Sequence, residues 1–484
     1  MATSDGSPRG SNDGFLKVLG RGDILALAFG AMIGFGWITA TSGFLEAAGP
    51  VGAALAFAIG GVIIALVGLT YAELVTAMPK AGGEHHYAMR ALGAKGAFVA
   101  SWAMVLGYVS VVAFEAVAIP QTIVDLFPGM LAGHMWTVAD YDVYATWVAV
   151  GVGTAVVMTV LNYVGIRPAS VFQTIAVLFL LAVGLVLLLG AFTGGSTETM
   201  RPAFGVGPAG LLTVLVAVPF LFVGFDVIPQ SASEIKIPYR QVGRILVVSV
   251  LCAAAWYILI MLTVGSSMPV PDLVEADLGT AEAMRALWNS HTMGNLLVLG
   301  GIAGLLTSWN AFLIGASRLL YAMAVSGMLP RWFGRLHPRF RTPGNALLFV
   351  GGLSVIAPLF GEPMMNWLIN AGGMSIVVAY VVVVVSFLVL RRTEPQMPRP
   401  FRVRYPRLVG GSALVLALGL GVLYLPGMPA SLNWPEEWVI ILAWWVIGLP
   451  LLLRLPSVGR GPDAEKRLMA AVGRREDPDP EPRS

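Results

Sequence analysis

Long apolar runs recur from one end of this chain to the other, at 51–69, 171–192, 376–390 and 438–453 among others. About 20 apolar residues cross the hydrocarbon core of a bilayer, so repeated runs of this kind imply one integral membrane domain. Composition agrees: of 484 residues 57% are hydrophobic and only 12% charged, whereas a soluble domain spends roughly a quarter of its residues on charge. So few charges cannot coat a soluble surface of this size. The expected fold class is an all-α polytopic membrane protein of about twelve transmembrane helices. Spans are placed near 23–46, 51–78, 96–127, 142–164, 169–192, 209–231, 241–267, 293–325, 344–361, 364–390, 408–426 and 433–453.

Residues 21–454 form the expected transmembrane domain. The segments 1–20 and 455–484 are polar and rich in Gly, Pro, Arg, Asp and Glu; they are read as mobile tails, because they bury too little apolar surface to order themselves. No short apolar region with a cleavage site opens the chain, so no signal peptide is read. Basic residues of the connections, including Lys80, Arg90, Arg167, Lys236, Arg335 and Arg392, fall on one side by this placement, and only Arg201 and Arg285 fall on the other. Acidic residues such as Asp142, Glu198, Asp272 and Glu275 fill the opposite loops. The positive-inside rule then places both termini in the cytoplasm and the multi-pass chain in the cell (inner) membrane. The single cysteine, Cys252, excludes an intrachain disulfide and reads as a buried small hydrophobe.

Glycine interrupts the first and sixth spans at matching places. Ile33, Gly34, Phe35 and Gly36 break the first; Phe222, Val223, Gly224, Phe225 and Asp226 break the sixth, with Pro219 and Pro229 on either side. Two interrupted helices five spans apart are what an inverted repeat shows, although small residues also serve plain helix packing in membranes. Unwound backbone at membrane depth is tolerated only where it is buried or lines a cavity. Half-helix N-termini attract a carboxylate and half-helix C-termini an ammonium or metal cation. A zwitterion fits that pair of poles.

These residues resemble the amino acid, polyamine and organocation (APC) transporters. The match runs through 31–37, through 71–79 with the following Gly82-Gly83-Glu84-His85-His86-Tyr87, through the 222–226 break with its Glu234-Ile235-Lys236-Ile237-Pro238 exit, and through 318–330 with Thr342-Pro343. Phe35, in place of a small residue, and His85 depart from the family pattern. The resemblance covers nearly all of 20–454. It implies the leucine-transporter fold, with 5+5 inverted repeats, broken first and sixth helices, and alternating access. It also implies a substrate pocket in which Ile33, Gly34, Phe35 and Gly36 meet a carboxylate, the Phe222 and Val223 carbonyls meet an ammonium, and Phe225 caps the site.

In the third span Tyr108 and Glu115 are two helical turns apart and share a face. Glu115 stands open among three roles: counter-ion to a substrate amine, proton exchanger, or neutral structural group. Asp226 reads as a tie for the broken backbone ahead of a substrate ligand. Glu73 and Glu84 read as a gate or as tethers to arginines. Thr307 and Ser308, with Ala31 and Gly34 of the first span, resemble the oxygen set that holds sodium in other members of the fold. Ser308 also belongs to a small-residue stripe with Gly304, Ala311 and Gly315 that would pack helices. The fifth span carries no lysine to stand in for a cation. The histidines show no metal-ligand spacing at membrane depth, and no Gly-Lys-Ser/Thr phosphate loop is present. Neither a catalytic activity nor a cofactor or resident metal is expected, apart from a coupling ion, sodium ahead of a proton. The expected partners are a small amino acid or amine substrate and the lipid bilayer, with no nucleic acid. The leading function is ion-coupled amino acid transport as a symporter. The alternatives are an amine or polyamine carrier using Glu115, proton-coupled or exchanging, and a transporter-like nutrient sensor.

Overall fold

The computed structural model of the chain describes residues 14–473 apart from 35, 277, 429 and 430. Among the described residues eleven helices are long and apolar enough to cross a membrane: Arg21–Thr39, Thr41–Ala77, Ala94–Leu126, Ala145–Val164, Ile166–Gly194, Pro208–Gln230, Tyr239–Gly265, His291–Val325, Pro363–Thr393, Pro406–Leu423 and Glu436–Arg454. A shorter apolar helix, Gly344–Phe360, lies ninth in this order. Counted with it, the order matches the expected spans, and the ordinals below follow it. The expected turn between the first two spans falls at Gly49, whose φ of 72° and ψ of 163° interrupt the helix Thr41–Ala77. A Cβ at Gly49 would approach the Pro202 and Ala203 carbonyl oxygens to 2.8 and 2.7 Å. Pro50 follows at the first helical position, where a missing N–H costs nothing.

Burial sorts the spans. The third is almost wholly enclosed, while the eleventh and twelfth turn most of their surface outward. Around the third span pack the eighth and tenth, and the second packs along the seventh. Exposed Leu, Val, Ile and Phe residues stud the outward faces, as at Ile175, Leu178, Val415 and Val446, which suits a surface wetted by lipid tails. Cys252 is exposed on the seventh span, against the expectation of burial; on an outward helix face the bilayer solvates a thiol as well as a core does.

Both segments read as mobile tails contain packed residues. Phe15 and Leu19 are buried, the Val18 and Leu19 N–H groups donate to the Glu234 carbonyl at 2.9 and 3.0 Å, and the Lys236 N–H donates back to Leu19 at 3.0 Å. At the other end a terminal helix, Ala464–Ala471, buries Ala464 and Leu468. A polar segment needs only a few apolar residues to order itself when a preformed surface receives them. Three further helices lie in connections: Glu84–Leu92 after the second span, and Val270–Glu275 and Gly279–Trp288 before the eighth. The last of these is the longest, at 10 residues. It closes over the first span, where the Thr280 hydroxyl donates to the carbonyls of Trp37 and Ile38 at 3.2 and 3.0 Å.

Candidate functional site

Both glycine interruptions are real breaks. The first span stops helical geometry after Met32 and resumes at Gly36; the sixth stops after Phe222 and resumes at Val227. The breaks touch. Gly224 has φ 133°, and a Cβ there would lie 2.6 Å from the Ala31 Cβ and 3.0 Å from the Met32 nitrogen. Only a residue without a side chain fits, both for space and for backbone angle. Gly34 abuts the eighth span so closely that an added Cβ would overlap Ser308. Ile33, Trp37, Phe222, Val223, Phe225 and Asp226 are all buried, so the site is closed to solvent from both faces. Phe35 lies outside the described residues.

Buried carbonyls that a broken helix leaves behind need other donors. The first span finds them on its neighbours. The Tyr257 hydroxyl donates to the Met32 carbonyl at 2.9 Å, Thr307 Oγ1 lies 3.1 Å from the Gly30 carbonyl and 2.7 Å from that of Gly304, and Gln173 Nε2 lies 3.3 Å from the Ala26 carbonyl. Gln173 in turn accepts from Asn310, which accepts from Asn162, at 2.8 and 2.9 Å. This amide chain joins the first, fifth, eighth and fourth spans. Sequence reasoning missed it, since isolated amides in apolar helices carry no spacing signal. Of the four residues Ala31, Gly34, Thr307 and Ser308, Thr307 meets the first span at the Gly30 carbonyl and Ser308 abuts Gly34, while the Ala31 methyl faces Gly224.

The two third-span residues face different neighbourhoods. Glu115 is buried and neither of its carboxyl oxygens has a hydrogen-bond partner of full geometry; the hydroxyls of Ser308 and Tyr257 face it. Tyr108 lies two turns away beside the Asp226 carboxyl and 3.5 Å from Gln230 Nε2. Asp226 Oδ1 accepts from the Gly224 N–H at 2.7 Å, which is the backbone tie expected of it. Phe225, expected to cap the site, is fully buried. It packs among Tyr71 and Tyr380, at ring centroid distances of 5.4 and 5.6 Å. Phe222 instead stacks on Tyr257, 5.4 Å away.

Glu84 belongs to this same neighbourhood. It accepts from Gln230 Nε2 at 2.6 Å and meets no arginine among the described residues, so the tether reading fails for it. Burial first, and then the nearby Asp226 carboxyl, push it well above the usual carboxylate range. Glu73 does form the tether: it accepts from Arg391 and from the Val403 N–H, and lies 2.9 Å from Arg399 Nε. The hydroxyls of Tyr71, Tyr87 and Tyr380 are buried without partners beside Glu84 and Asp226. Buried polar groups left without partners in this number are costly.

Two closures flank the breaks. On the arginine-rich side, Arg318 makes a two-point contact with Glu234 at 3.0 and 3.3 Å, both side chains being 1% exposed. On the other side Arg285 bridges Asp125 at 2.7 Å and Glu282 at 2.9 Å.

With this geometry in place, comparison with known proteins is informative. The amino acid permease family profile matches residues 19–449. The chain is 26% identical over 443 residues to the branched-chain amino acid permease BcaP of Bacillus subtilis, an alignment spanning 90% of this chain and 91% of the relative. A methylthioribose transporter of the same species is 25% identical, with 91% and 94% covered. Its aspartate-proton symporter is 24% identical, with 92% and 90% covered. A match over most of the chain, on a helical bundle with two touching breaks, makes this protein a member of the amino acid permease family within the APC transporters, and so a multi-pass membrane transporter and not an enzyme.

Proposed function

We propose that the protein is a secondary active transporter that carries an amino acid across the cell (inner) membrane by alternating access, with both termini cytoplasmic. One observation carries the reading: the breaks of the first and sixth spans touch, with Gly224 against Ala31. Backbone freed from two helices at one buried point offers donors to a carboxylate and acceptors to an ammonium. In this reading the chain has the leucine-transporter architecture of two inverted five-helix halves, and the packing of the second span along the seventh supports it. Named relatives that carry branched-chain amino acids and aspartate support the substrate class.

Alternating access then has a physical description. The Arg318–Glu234 closure and the Arg285–Asp125 closure hold at the same time in this structure, and transport opens them in turn. Sodium is the coupling ion we favour, held by the Thr307 and Ser308 hydroxyls with first-span carbonyls from Ala31 and Gly34. Hard oxygen donors suit such a cation. A second reading rests on Glu115, whose carboxyl is buried without a full partner: it serves as counter-ion to a substrate amine or carries a proton, in an amine carrier or proton-coupled transporter.

The test is uptake by purified protein in liposomes, offered pooled labelled amino acids or pooled amines under separately imposed sodium and proton gradients. Amino acid uptake driven by sodium alone is the expected result. Acceleration by a proton gradient only, lost in Glu115→Gln, moves the assignment to the second reading. Ligand binding without flux would make the protein a sensor and overturn both.

A further inference from the structure

The helix Glu84–Leu92 and the terminal helix Ala464–Ala471 meet through three side chains that the transport reading does not use. His85, His86 and Glu465 each offer one ligand atom, all within 4.8 Å of one another. His85 is fully buried, and its Nε2 has no partner. Its Nδ1 lies 3.4 Å from Ser101 Oγ, whose own proton is directed to the Ala97 carbonyl at 2.8 Å. Nδ1 therefore carries the ring proton and Nε2 is left as a bare lone pair. His86 shows the complementary arrangement. Its Nε2 is 2.9 Å from the Ala81 carbonyl, which can only accept, so that nitrogen holds a proton and Nδ1 faces Glu465 Oε2 at 3.3 Å.

Each imidazole thus has an oxygen on one ring nitrogen, while the other is unpartnered in His85 and faces the Glu465 carboxylate in His86. Histidines that bind metal are held in this way, by a carbonyl, hydroxyl or carboxylate on the far ring nitrogen. A carboxylate beside two imidazole lone pairs is a mixed nitrogen and oxygen donor set that suits zinc and its neighbours. We propose that His85, His86 and Glu465 bind one divalent transition metal ion of the zinc class, with a fourth position open to water, and that the ion pins the terminal helix onto the Glu84–Leu92 helix.

An entry path is present: a cavity of about 230 Å³ lined by His86, Met89, Arg90, Gly461 and Glu465 lies beside the cluster. Lys80 Nζ is 3.5 Å from the same Glu465 oxygen, but its side chain is 59% exposed and can swing into solvent. A simpler account has Lys80 and a protonated His86 neutralise Glu465. It leaves the buried Nε2 of His85 with no partner.

The proposal is tested on the tag-free, full-length protein, stripped with a chelator and titrated with Zn2+ by calorimetry, with Co2+ absorption as an optical check. One tight equivalent per chain is expected, with d–d bands of a low-symmetry site, and Zn2+ raises the melting temperature. Glu465→Gln, a change on the partly exposed terminal helix, and His86→Ala weaken binding at least tenfold while the protein stays monodisperse. Because the buried His85 can be needed for folding, its variant is not required. Binding no stronger than in a detergent blank, or Glu465→Gln binding like the unaltered chain, overturns the site; neither result bears on transport.

Discussion

The breaks in the first and sixth spans touch, yet they are held in opposite ways. The sixth is tied internally: Asp226 accepts from the Gly224 N–H two residues back, at 2.7 Å. The first borrows from elsewhere, its carbonyls met by Tyr257 of the seventh span, Thr307 of the eighth and Gln173 of the fifth. A break that carries its own tie can move as a unit. One whose partners sit on other helices changes hydrogen bonding whenever those helices shift, so ions or substrate have most leverage there.

Substitutions at four positions break or sharpen this contrast. Gly224→Ala has the largest expected effect, because φ at that position is 133° and the new Cβ meets Ala31. Overpacking costs about 1–3 kcal/mol and the backbone strain adds about as much again, so uptake in liposomes is expected to vanish; near-normal uptake would show that the breaks separate freely. Next, Asp226→Ala strands a buried N–H at a cost of about 1–3 kcal/mol, seen as a lower melting temperature in detergent. Asp226→Asn keeps an acceptor and is expected to recover most of that loss. If Asn and Ala behave alike, the tie is not what Asp226 supplies.

Tyr257→Phe removes one donor from the Met32 carbonyl. A loss of about 1 kcal/mol is expected, accompanied by a severalfold fall in uptake rate that the melting temperature alone does not explain. An unchanged rate would argue that the first break is not the responsive one. Smallest in stability is Thr307→Val, which keeps shape and loses a hydroxyl. If sodium is held there, its half-saturating concentration in uptake assays rises about tenfold, equivalent to about 1.4 kcal/mol; an unaltered sodium response would remove Thr307 from the ion site.

Much of the site was legible because its signals are local. The breaks needed only glycine and proline at 33–36 and 219–229, and Asp226 as a backbone tie followed from its place at the break. Glu115 was conspicuous as a carboxylate in an apolar run. Other features were not. Glu84 read as a gate or a tether to arginines because it lies at the end of a span beside a basic connection, whereas the fold carries it inward to Gln230, 146 residues away. The neighbours of the Phe225 ring, Tyr71 and Tyr380, come from the second and tenth spans and left no trace near the break in the sequence. His85 and His86 lacked any ligand spacing, since the third group, Glu465, belongs to a segment that sequence composition marks as polar tail.

The sequence by itself determined the membrane class, the order of spans and the places where two helices must break. Hydrophobic length, glycine, proline and the sidedness of basic residues act over a few turns and need no partner. Only the tertiary structure decided which hydroxyls satisfy the first break, which acids share the tyrosine-lined pocket, and which tail residues dock. Those outcomes depend on pairs of polar atoms from distant spans meeting in a medium where an unmet partner is expensive, and no periodicity along the chain records which pairs will meet.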